Sequence, residues 1–395
     1  MIVKGFFKRN MKFIGIALAV IFLSVPVLLW VLNIPPIIVL GITLSVVLIL
    51  SLVLFFLFRN PPDSFLENLL QKRISANQDK ARFSEDGLYV ITTGTGAPLP
   101  DKERVGPQTI VLAGEKLLVF DAGPGSTRML ELTNLDVGTV DALFLTHYHS
   151  DHIGDIGELM LKRWANGSPN FPLPIYGPPG LEKVVNGFEI AYSFDKEYRI
   201  AHHGQDIVPA SGFGGDSHPF DLGKDLSASK VVYEYDDLQV IAFNVDHAPV
   251  FPAVGYRVNY KNKSVVISGD TIFTESLIDH VRKADVLICE ALNKKYTDML
   301  ANAGRNTGTN LTPIAEDIQT YHITPEEAAM LAKEAEVTQL VLTHILPPIP
   351  SFGIAAKLFL KEARKIFDKL YMANDGTMVK MSTDSDAITI KEILD

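Results

Sequence analysis

The chain has 395 residues and a net charge of -10. That acidic balance gives no global attraction to a phosphate backbone and counts against a partner held mainly by one. A single cysteine, Cys289, excludes an intramolecular disulfide; it follows an apolar run and reads as a buried, inert thiol.

Taken in chain order, residues 13–32 and 37–58 are uncharged apolar stretches of 20 and 22 residues, joined by Asn33-Ile34-Pro35-Pro36. As a helix, each is long enough to cross about 30 Å of hydrocarbon. The first is too long for the apolar core of a signal peptide, and no small-x-small cleavage site follows it. Residues 1–59 are therefore predicted to form two transmembrane helices in a hairpin. Lys4, Lys8, Arg9 and Lys12 precede the first span, Arg59 follows the second, and the loop between them has no basic residue. The positive-inside rule then puts both ends in the cytoplasm. The expected location is the inner or plasma membrane, with a multi-pass hairpin and the remainder facing the cytoplasm. The near-absence of cysteine agrees with that compartment. Residues 60–82 form a linker, with an amphipathic helix at 65–74 that either lies on the membrane or packs on the domain. The globular domain spans 83–395.

In that domain, a strand at 88–92 runs into the glycine-rich turn Gly94-Thr95-Gly96-Ala97-Pro98-Leu99-Pro100. Lys102 and Arg104 follow, so the turn offers an anion both amides and cations. A hairpin at 109–113 and 116–120 ends at Asp121, which is either a ligand or a carboxylate that stabilises its loop. A helix at 126–132 leads to an apolar strand, 140–145, and then to Thr146-His147-Tyr148-His149-Ser150-Asp151-His152. Alternate side chains of a strand share a face, so His147 and His149 converge on one point. Asp151 and His152, in the following turn, reach a second point beside it. Imidazole and carboxylate suit zinc, iron or manganese.

Helices are expected at 156–164 and 181–194. His202 and His203, read as part of an extended segment, face opposite sides and are surface or substrate-pocket residues. Residues 212–215, with His218 nearby, read as a mobile, lid-like loop. Strands follow at 230–235 and 238–245, the second ending at His247. Another pair, 254–260 and 264–267, ends at Asp270, and a strand at 284–289 ends at Glu290. A helix at 324–336 opens on Thr324, Pro325 and Glu327, a capping box with proline at the first position. His322 sits just before it. A strand at 339–342 ends at Thr343-His344. A last helix, 354–370, precedes strands at 377–381 and 387–390. His147, His247, Asp270, Glu290 and His344 thus all lie at strand ends, the edge where open α/β sheets build sites. Residues 140–147 and 337–344 also match at five of eight positions, which suggests two related halves that each deliver a histidine.

His147-x-His149-x-Asp151-His152, His247, Asp270 and His344 together resemble the metallo-β-lactamase superfamily, over roughly residues 83–395. The resemblance implies an α/β fold, a four-layer αββα sandwich with metals at one edge, here preceded by the two transmembrane helices. It implies two zinc ions, with Mn2+ or Fe2+ as alternatives. His147, His149 and His247 would hold one ion; Asp151, His152 and His344 would hold the other; Asp270 would bridge. Asp121 resembles the family's loop-stabilising aspartate. Histidine at 149, where the di-iron oxygen-reducing branch has glutamate, favours hydrolysis.

Within the superfamily, Gly94-x-Gly96 with Pro100-x-Lys102-x-Arg104, Glu290-Ala291 and His322-x-Thr324 resemble the ribonuclease Z and arylsulfatase-like branch. In that branch the residues matching Glu290 and His322 assist protonation of the leaving group. Ribonuclease Z carries a long tRNA-gripping arm between the positions matching His247 and Asp270. Here 22 residues, 248–269, separate them and are filled by two strands. Cys289 and Leu292 also depart from the family pattern.

The function expected from this resemblance is a membrane-anchored di-zinc hydrolase of a phosphodiester or sulfate ester, acting through a metal-bridging hydroxide. Asp151, His322 and Glu290 are its catalytic residues; Lys102, Arg104, His202 and His203 are candidate substrate contacts. One alternative is a ribonuclease Z-type tRNA 3′ endoribonuclease. Another is a metal-stabilised membrane scaffold or sensor without catalysis. The partners in view are a lipid membrane through residues 13–58, a small ester, tRNA (disfavoured by the missing arm) and a second copy in a homodimer.

Overall fold

A computed structural model describes residues 34–59, 61, 63–76, 83, 85–350 and 352–394. The chain divides into two compact units, Met1–Ala76 and Asn77–Asp395.

In the first unit, α1 (Pro36–Arg59) precedes α2 (Asp63–Ala76). Pro36 opens α1, where a missing N–H costs nothing. The hydroxyls of Thr43 and Ser45 donate to the carbonyls of Val39 and Gly41, so an otherwise apolar helix leaves neither bare. Pro36–Val53 is long and apolar enough to cross a membrane, the one such helix among the described residues. Residues 13–32 lie outside the described residues, so of the two expected membrane helices the structure describes one.

Among the described residues, the second unit holds fifteen strands in two sheets. The first sheet has the order β15-β14-β1-β2-β3-β4-β5-β6. Its strands are β1 (Gly87–Gly94), β2 (Gln108–Ala113), β3 (Lys116–Phe120), β4 (Ala142–Phe144), β5 (Leu173–Gly177), β6 (Gly215–Pro219), β14 (Thr377–Ser382) and β15 (Ile388–Glu392). The second has the order β13-β12-β11-β10-β9-β8-β7. Its strands are β7 (Ser229–Tyr235), β8 (Leu238–Asn244), β9 (Val254–Tyr260), β10 (Lys263–Ile267), β11 (Val286–Leu292), β12 (Gln339–Leu346) and β13 (Leu370–Met372). The helices in chain order are α3 (Ser126–Leu132), α4 (Ser150–Ile153), α5 (Ile156–Gly167), α6 (Leu181–Ala191), α7 (Ser193–His203), α8 (Glu275–Val281), α9 (Lys294–Thr307), α10 (Leu311–Asp317), α11 (Pro325–Glu334), α12 (Gly353–Phe359) and α13 (Ala363–Ile366).

Alternation along the strands builds the layers. Leu88, Val90, Phe120 and Phe144 meet Val240, Tyr256, Val265 and Val341 between the sheets. Tyr89, Ile91, Val119 and Leu143 turn outward and pack with Leu130, Ile156 and Leu181 of α3, α5 and α6. On the other face, Leu287, Leu340 and Leu342 pack with Leu277, Leu331, Phe359 and Ala363 of α8, α11, α12 and α13. The result is the four-layer αββα arrangement. Close to the site the two sheets are tied directly: the Tyr256 hydroxyl donates to Leu145 O (2.6 Å), and Val254 N donates to Thr146 O (3.0 Å).

Four local expectations are corrected. Residues 198–203 are helical, not extended: α7 follows α6 after Tyr192, and its Asp195–Arg199 pair (2.6 Å) is spaced one turn apart. The expected mobile loop at 212–215 is held instead. Gly215 starts the edge strand β6, and its N–H donates to Glu189 Oε1 (2.9 Å). The single helix expected at 354–370 is α12 and α13, after which Leu370 pairs with Leu340 as β13. Residues 294–317, for which no element was expected, form α9 and α10. Asn293 caps α9 by accepting from Tyr296 N, and Gly308 ends it in the left-handed region.

Candidate metal centre

The site is built from the loops that follow β4, β8 and β10, and from His344 and Glu290, which lie inside β12 and β11 and not at strand ends as expected. After β4 the chain bends at Thr146 and reaches His149, the extended N-cap of the one-turn helix α4, which carries Asp151 and His152. Gly269, at φ 63°, turns the chain after β10 so that Asp270 enters the cluster; a Cβ there would lie 2.7 Å from Val254 O. His247 follows β8, with its loop tied to Asp270's by Ile272 N donating to Asp246 O (2.9 Å). His344 lies within β12 at φ 46°, a left-handed conformation that a non-glycine residue adopts at a cost of about 1 kcal/mol or more.

These seven side chains come together. Nε2 of His147 is 2.9 Å from Nδ1 of His149, which is 3.5 Å from Nε2 of His247. Oδ2 of Asp270 is 3.9 Å from the Nε2 atoms of both His147 and His247. The same oxygen is 3.3 Å from His152 Nε2 and 3.5 Å from His344 Nε2. Oδ2 of Asp151 completes that second set, 3.6 Å from His152 Nε2 and 3.4 Å from His344 Nε2. Donors around one ion at bond lengths near 2.1 Å stand roughly 3.4 Å apart in a tetrahedron, so both sets have ligand spacing. A further observation fits a cation: the buried His152 Nε2 has no hydrogen-bond partner among the described residues, yet it stands 3.3 and 3.6 Å from the carboxylates of Asp270 and Asp151. Imidazole and carboxylate donors without thiolate suit a divalent metal.

A second layer orients the ligands, as metal sites require. Asp121, itself at φ 60°, accepts from Thr146 N (2.8 Å), Thr146 Oγ1 (2.9 Å) and His152 Nδ1 (2.8 Å). Of the two readings of Asp121, the structure selects the loop-stabilising one. Nδ1 of His247 donates to Tyr321 O (2.9 Å), which leaves Nε2 for the cluster. Tyr321 was missed in the sequence because the contact is made by its backbone, which no residue pattern reports.

Burial and the neighbouring imidazoles hold His147 well below the usual histidine range. Burial also lowers His149, and takes His247 down to about 4 despite Asp270. All three are therefore neutral donors at pH 7. Burial would lower His152 too, but Asp270, Asp151 and Asp121 outweigh it and raise that residue. Asp151 and Asp270 stay ionised because the surrounding histidines overcome the burial cost.

Beside the cluster, Oε2 of Glu290 is 2.7 Å from His322 Nδ1, and Oε1 accepts from Thr271 N (2.7 Å). Burial beside Asp270 raises Glu290, and burial lowers His322. Glu290, His322, Asp270 and His344 also stand close enough for a shared ion. The pairing of Glu290 with His322 and Thr271 occupies both of its oxygens, which favours an orienting role.

The expected substrate contacts do not join this constellation. Arg104 is buried, and its guanidinium donates to Ile349 O (2.6 Å), so it is a structural residue and not an anion contact. The amides of the glycine-rich turn are also taken: Thr95 N donates to Asp375 and Gly96 N to Val105 O. Gly94 is required by close packing, since a Cβ would lie 1.7 Å from Gly106 O. Lys102 is exposed on the loop, and His202 and His203 are exposed in the last turn of α7. Burial pushes the Cys289 thiol up, as suits an inert core residue.

A two-sheet αββα sandwich with a histidine–aspartate cluster at its strand ends defines a metal-dependent hydrolase of the metallo-β-lactamase superfamily, and the chain belongs to that superfamily. A family model described as a beta-lactamase superfamily domain matches residues 117–345. Among relatives, a ribonuclease Z of Mycolicibacterium gilvum (strain PYR-GCK) is 34% identical over 264 residues, covering 66% of this chain and 85% of the relative. A ribonuclease Z of Mycolicibacterium paratuberculosis (strain ATCC BAA-968 / K-10) is 34% identical over 300 residues, 75% of this chain and 100% of the relative. Two solved structures share the fold. The metallo-beta-lactamase fold protein YhfI from Bacillus subtilis has a TM-score of 0.55 at 22% identity, covering 75% of this chain and 100% of its own. The short form of human tRNase Z has a TM-score of 0.52 at 22% identity, covering 73% and 98%.

Proposed function

We propose that the chain is a phosphodiesterase with a two-metal site, tethered to a membrane through α1. The observation that carries this reading is Asp270 Oδ2, which stands within 3.9 Å of both histidine sets while the His322–Glu290 pair lies alongside. His147, His149 and His247 would hold one divalent cation, Asp151, His152 and His344 a second, and Asp270 both. Cations held there neutralise charge on phosphoryl oxygens and make hydroxide available at neutral pH. Asp151 takes the proton of the attacking water only briefly, because His152 and His344 hold it ionised. His322 gives a proton from Nε2 to the departing oxygen. Glu290, raised by its burial, replaces that proton at Nδ1 across the 2.7 Å contact.

The phosphodiester is favoured over the sulfate ester by the relatives, which are named ribonuclease Z. Their lengths also bear on tRNA. The Mycolicibacterium paratuberculosis relative is named ribonuclease Z and is matched over 100% of its length by this chain. That likeness offsets the short 248–269 connection, and a precursor tRNA 3′ trailer is the first substrate to test. A small aryl phosphodiester is the second reading, favoured by the net charge of -10.

The test is a panel on the zinc-loaded full-length chain: a precursor tRNA, an aryl phosphodiester and an aryl sulfate, with His149→Ala as control. One of the phosphodiesters should be cleaved fastest, and the variant should fall to background. Equal rates for variant and parent would refute the mechanism; turnover of none of the three would favour the scaffold or sensor. A reporter fused at the C-terminus tests the cytoplasmic orientation.

A further inference from the structure

Between α10 and α11 the chain places Tyr321 against the catalytic cluster. Its ring centroid is 5.2 Å from that of His247 and 4.9 Å from that of His322. Leu292, Ile318 and Leu346 are buried in the small apolar cluster it packs on, and Ala97 and Leu99 of the β1–β2 loop complete that cluster. Ala97, Leu99 and Tyr321 are each only half-buried, so they form an apolar lip with solvent on one side. Among the described residues no group hydrogen-bonds the Tyr321 hydroxyl, so nothing pins the ring by its polar end.

We propose that this lip is the leaving-group subsite and that it takes a flat aromatic group, an aryl ring or a nucleobase. The inference rests on the phosphodiesterase reading above, with His322 as the acid. A proton from His322 goes to the oxygen that departs. The substituent on that oxygen must therefore lie beside His322, and the adjoining surface is the Tyr321 ring with Leu99 and Ala97. None of the three carries a charge, so the lip suits a planar apolar substituent better than an anionic one. An aromatic ring settles on such a surface in an offset or edge-to-face arrangement. Tyr321 thus has two separable roles. Its backbone carbonyl orients His247, and its ring selects the leaving group. Substitution by alanine removes the ring and keeps the carbonyl.

The test uses the zinc-loaded full-length chain and its Tyr321→Ala, Tyr321→Phe and Leu99→Ala variants, with metal content measured for each. Calorimetry compares phenyl phosphate with methyl phosphate. Hydrolysis compares an aryl with an alkyl phosphodiester, and a dinucleotide distinguishes a nucleobase from a simple aryl ring. The parent should bind phenyl phosphate more tightly. Tyr321→Ala should cut the phenyl-to-methyl affinity ratio, and the aryl-to-alkyl ratio in kcat/KM, by about 10-fold. Tyr321→Phe should keep both ratios, and Leu99→Ala should lower them by about 3-fold. An unchanged ratio in both Tyr321→Ala and Leu99→Ala, or a parent with no preference for phenyl phosphate, would overturn the subsite. Phenyl preference without hydrolysis of any ester would leave the subsite standing and refute the phosphodiesterase reading.

Discussion

The segments that run into His147 and His344 match at five of eight positions, yet they are finished in different ways. Beside the first, Asp121 follows the parallel neighbour β3 and braces Thr146 and His152 with three hydrogen bonds. Beside the second, the parallel neighbour β11 supplies Glu290, opposite Thr343, but that carboxylate turns to Thr271 and His322. Thr343 Oγ1 and His344 Nδ1 are left buried without hydrogen-bond partners among the described residues, the latter 3.9 Å from Glu290 Oε2. A buried polar atom without a partner costs on the order of 1–3 kcal/mol. The first end is therefore a braced frame that would carry four of the proposed ligands. The second would carry one, and its carboxylate is paired with His322. Each end also holds one non-glycine residue in the left-handed region, Asp121 at φ 60° and His344 at φ 46°.

The largest effect that tests this contrast is at His322. His322→Ala should lower kcat by about 10²- to 10⁴-fold while metal content stays at the parental value, since the residue acts on the leaving group. Loss of metal together with activity would make it a ligand instead.

The second concerns acid and the metal-free protein. His247 falls from 6.5 to about 4 on folding because it is buried. The unfolded chain then takes up the proton first, so stability falls as pH drops from 6.5 toward 4, by about 3 kcal/mol for this group. His147 and His149 are lowered too and act in the same direction. His152, being raised, stays protonated in the fold throughout and adds no loss over the lower part of that window. Glu290 and Asp375, both raised by burial, act in the opposite direction, so denaturant midpoints of the chelated protein are compared with those of its His247→Gln variant: the parent should lose more stability between pH 6 and pH 4.5, and equal losses would contradict this.

The third compares the two carboxylates directly. Asp121→Asn should weaken metal affinity by about 10- to 100-fold, and excess zinc should restore the rate. Glu290→Gln should lower kcat in a way that excess zinc does not restore. Rescue of both variants by zinc would erase the distinction.

The smallest effect concerns the paired threonines. Thr146→Val removes a hydroxyl bonded to Asp121 and should cost about 1–2 kcal/mol. Thr343→Val removes one without a partner and should be close to neutral. Equal costs would mean that the two ends are braced alike.

How much of this could be read from sequence follows from the range of each interaction. The four donors between His147 and His152 are local, and strand and turn geometry alone sorts them into two directions. The capping box at Thr324 is local as well, and both of its hydrogen bonds are present. The layers were expected from the resemblance to the superfamily, and alternation along each strand accounts for them in the structure. Arg104 was misread because its partner, Ile349 O, is 245 residues away. The glycine-rich turn was misread for the same reason: its amides are filled by Asp375 and Val105, and a spare amide cannot be told from a used one in sequence. Neighbouring histidines drew attention to 202–203, whereas the Asp195–Arg199 spacing carried the helical signal. Tyr321 was invisible because its role toward His247 belongs to a carbonyl.

The central claim is that two pockets share Asp270. It is tested most directly by zinc stoichiometry, measured by mass spectrometry on the full-length chain and three variants. About two zinc ions are expected in the parent, about one in His247→Ala, about one in Asp151→Ala, and fewer than one in Asp270→Ala. A parent that saturates at one ion, or an Asp270→Ala variant that keeps two, would contradict it.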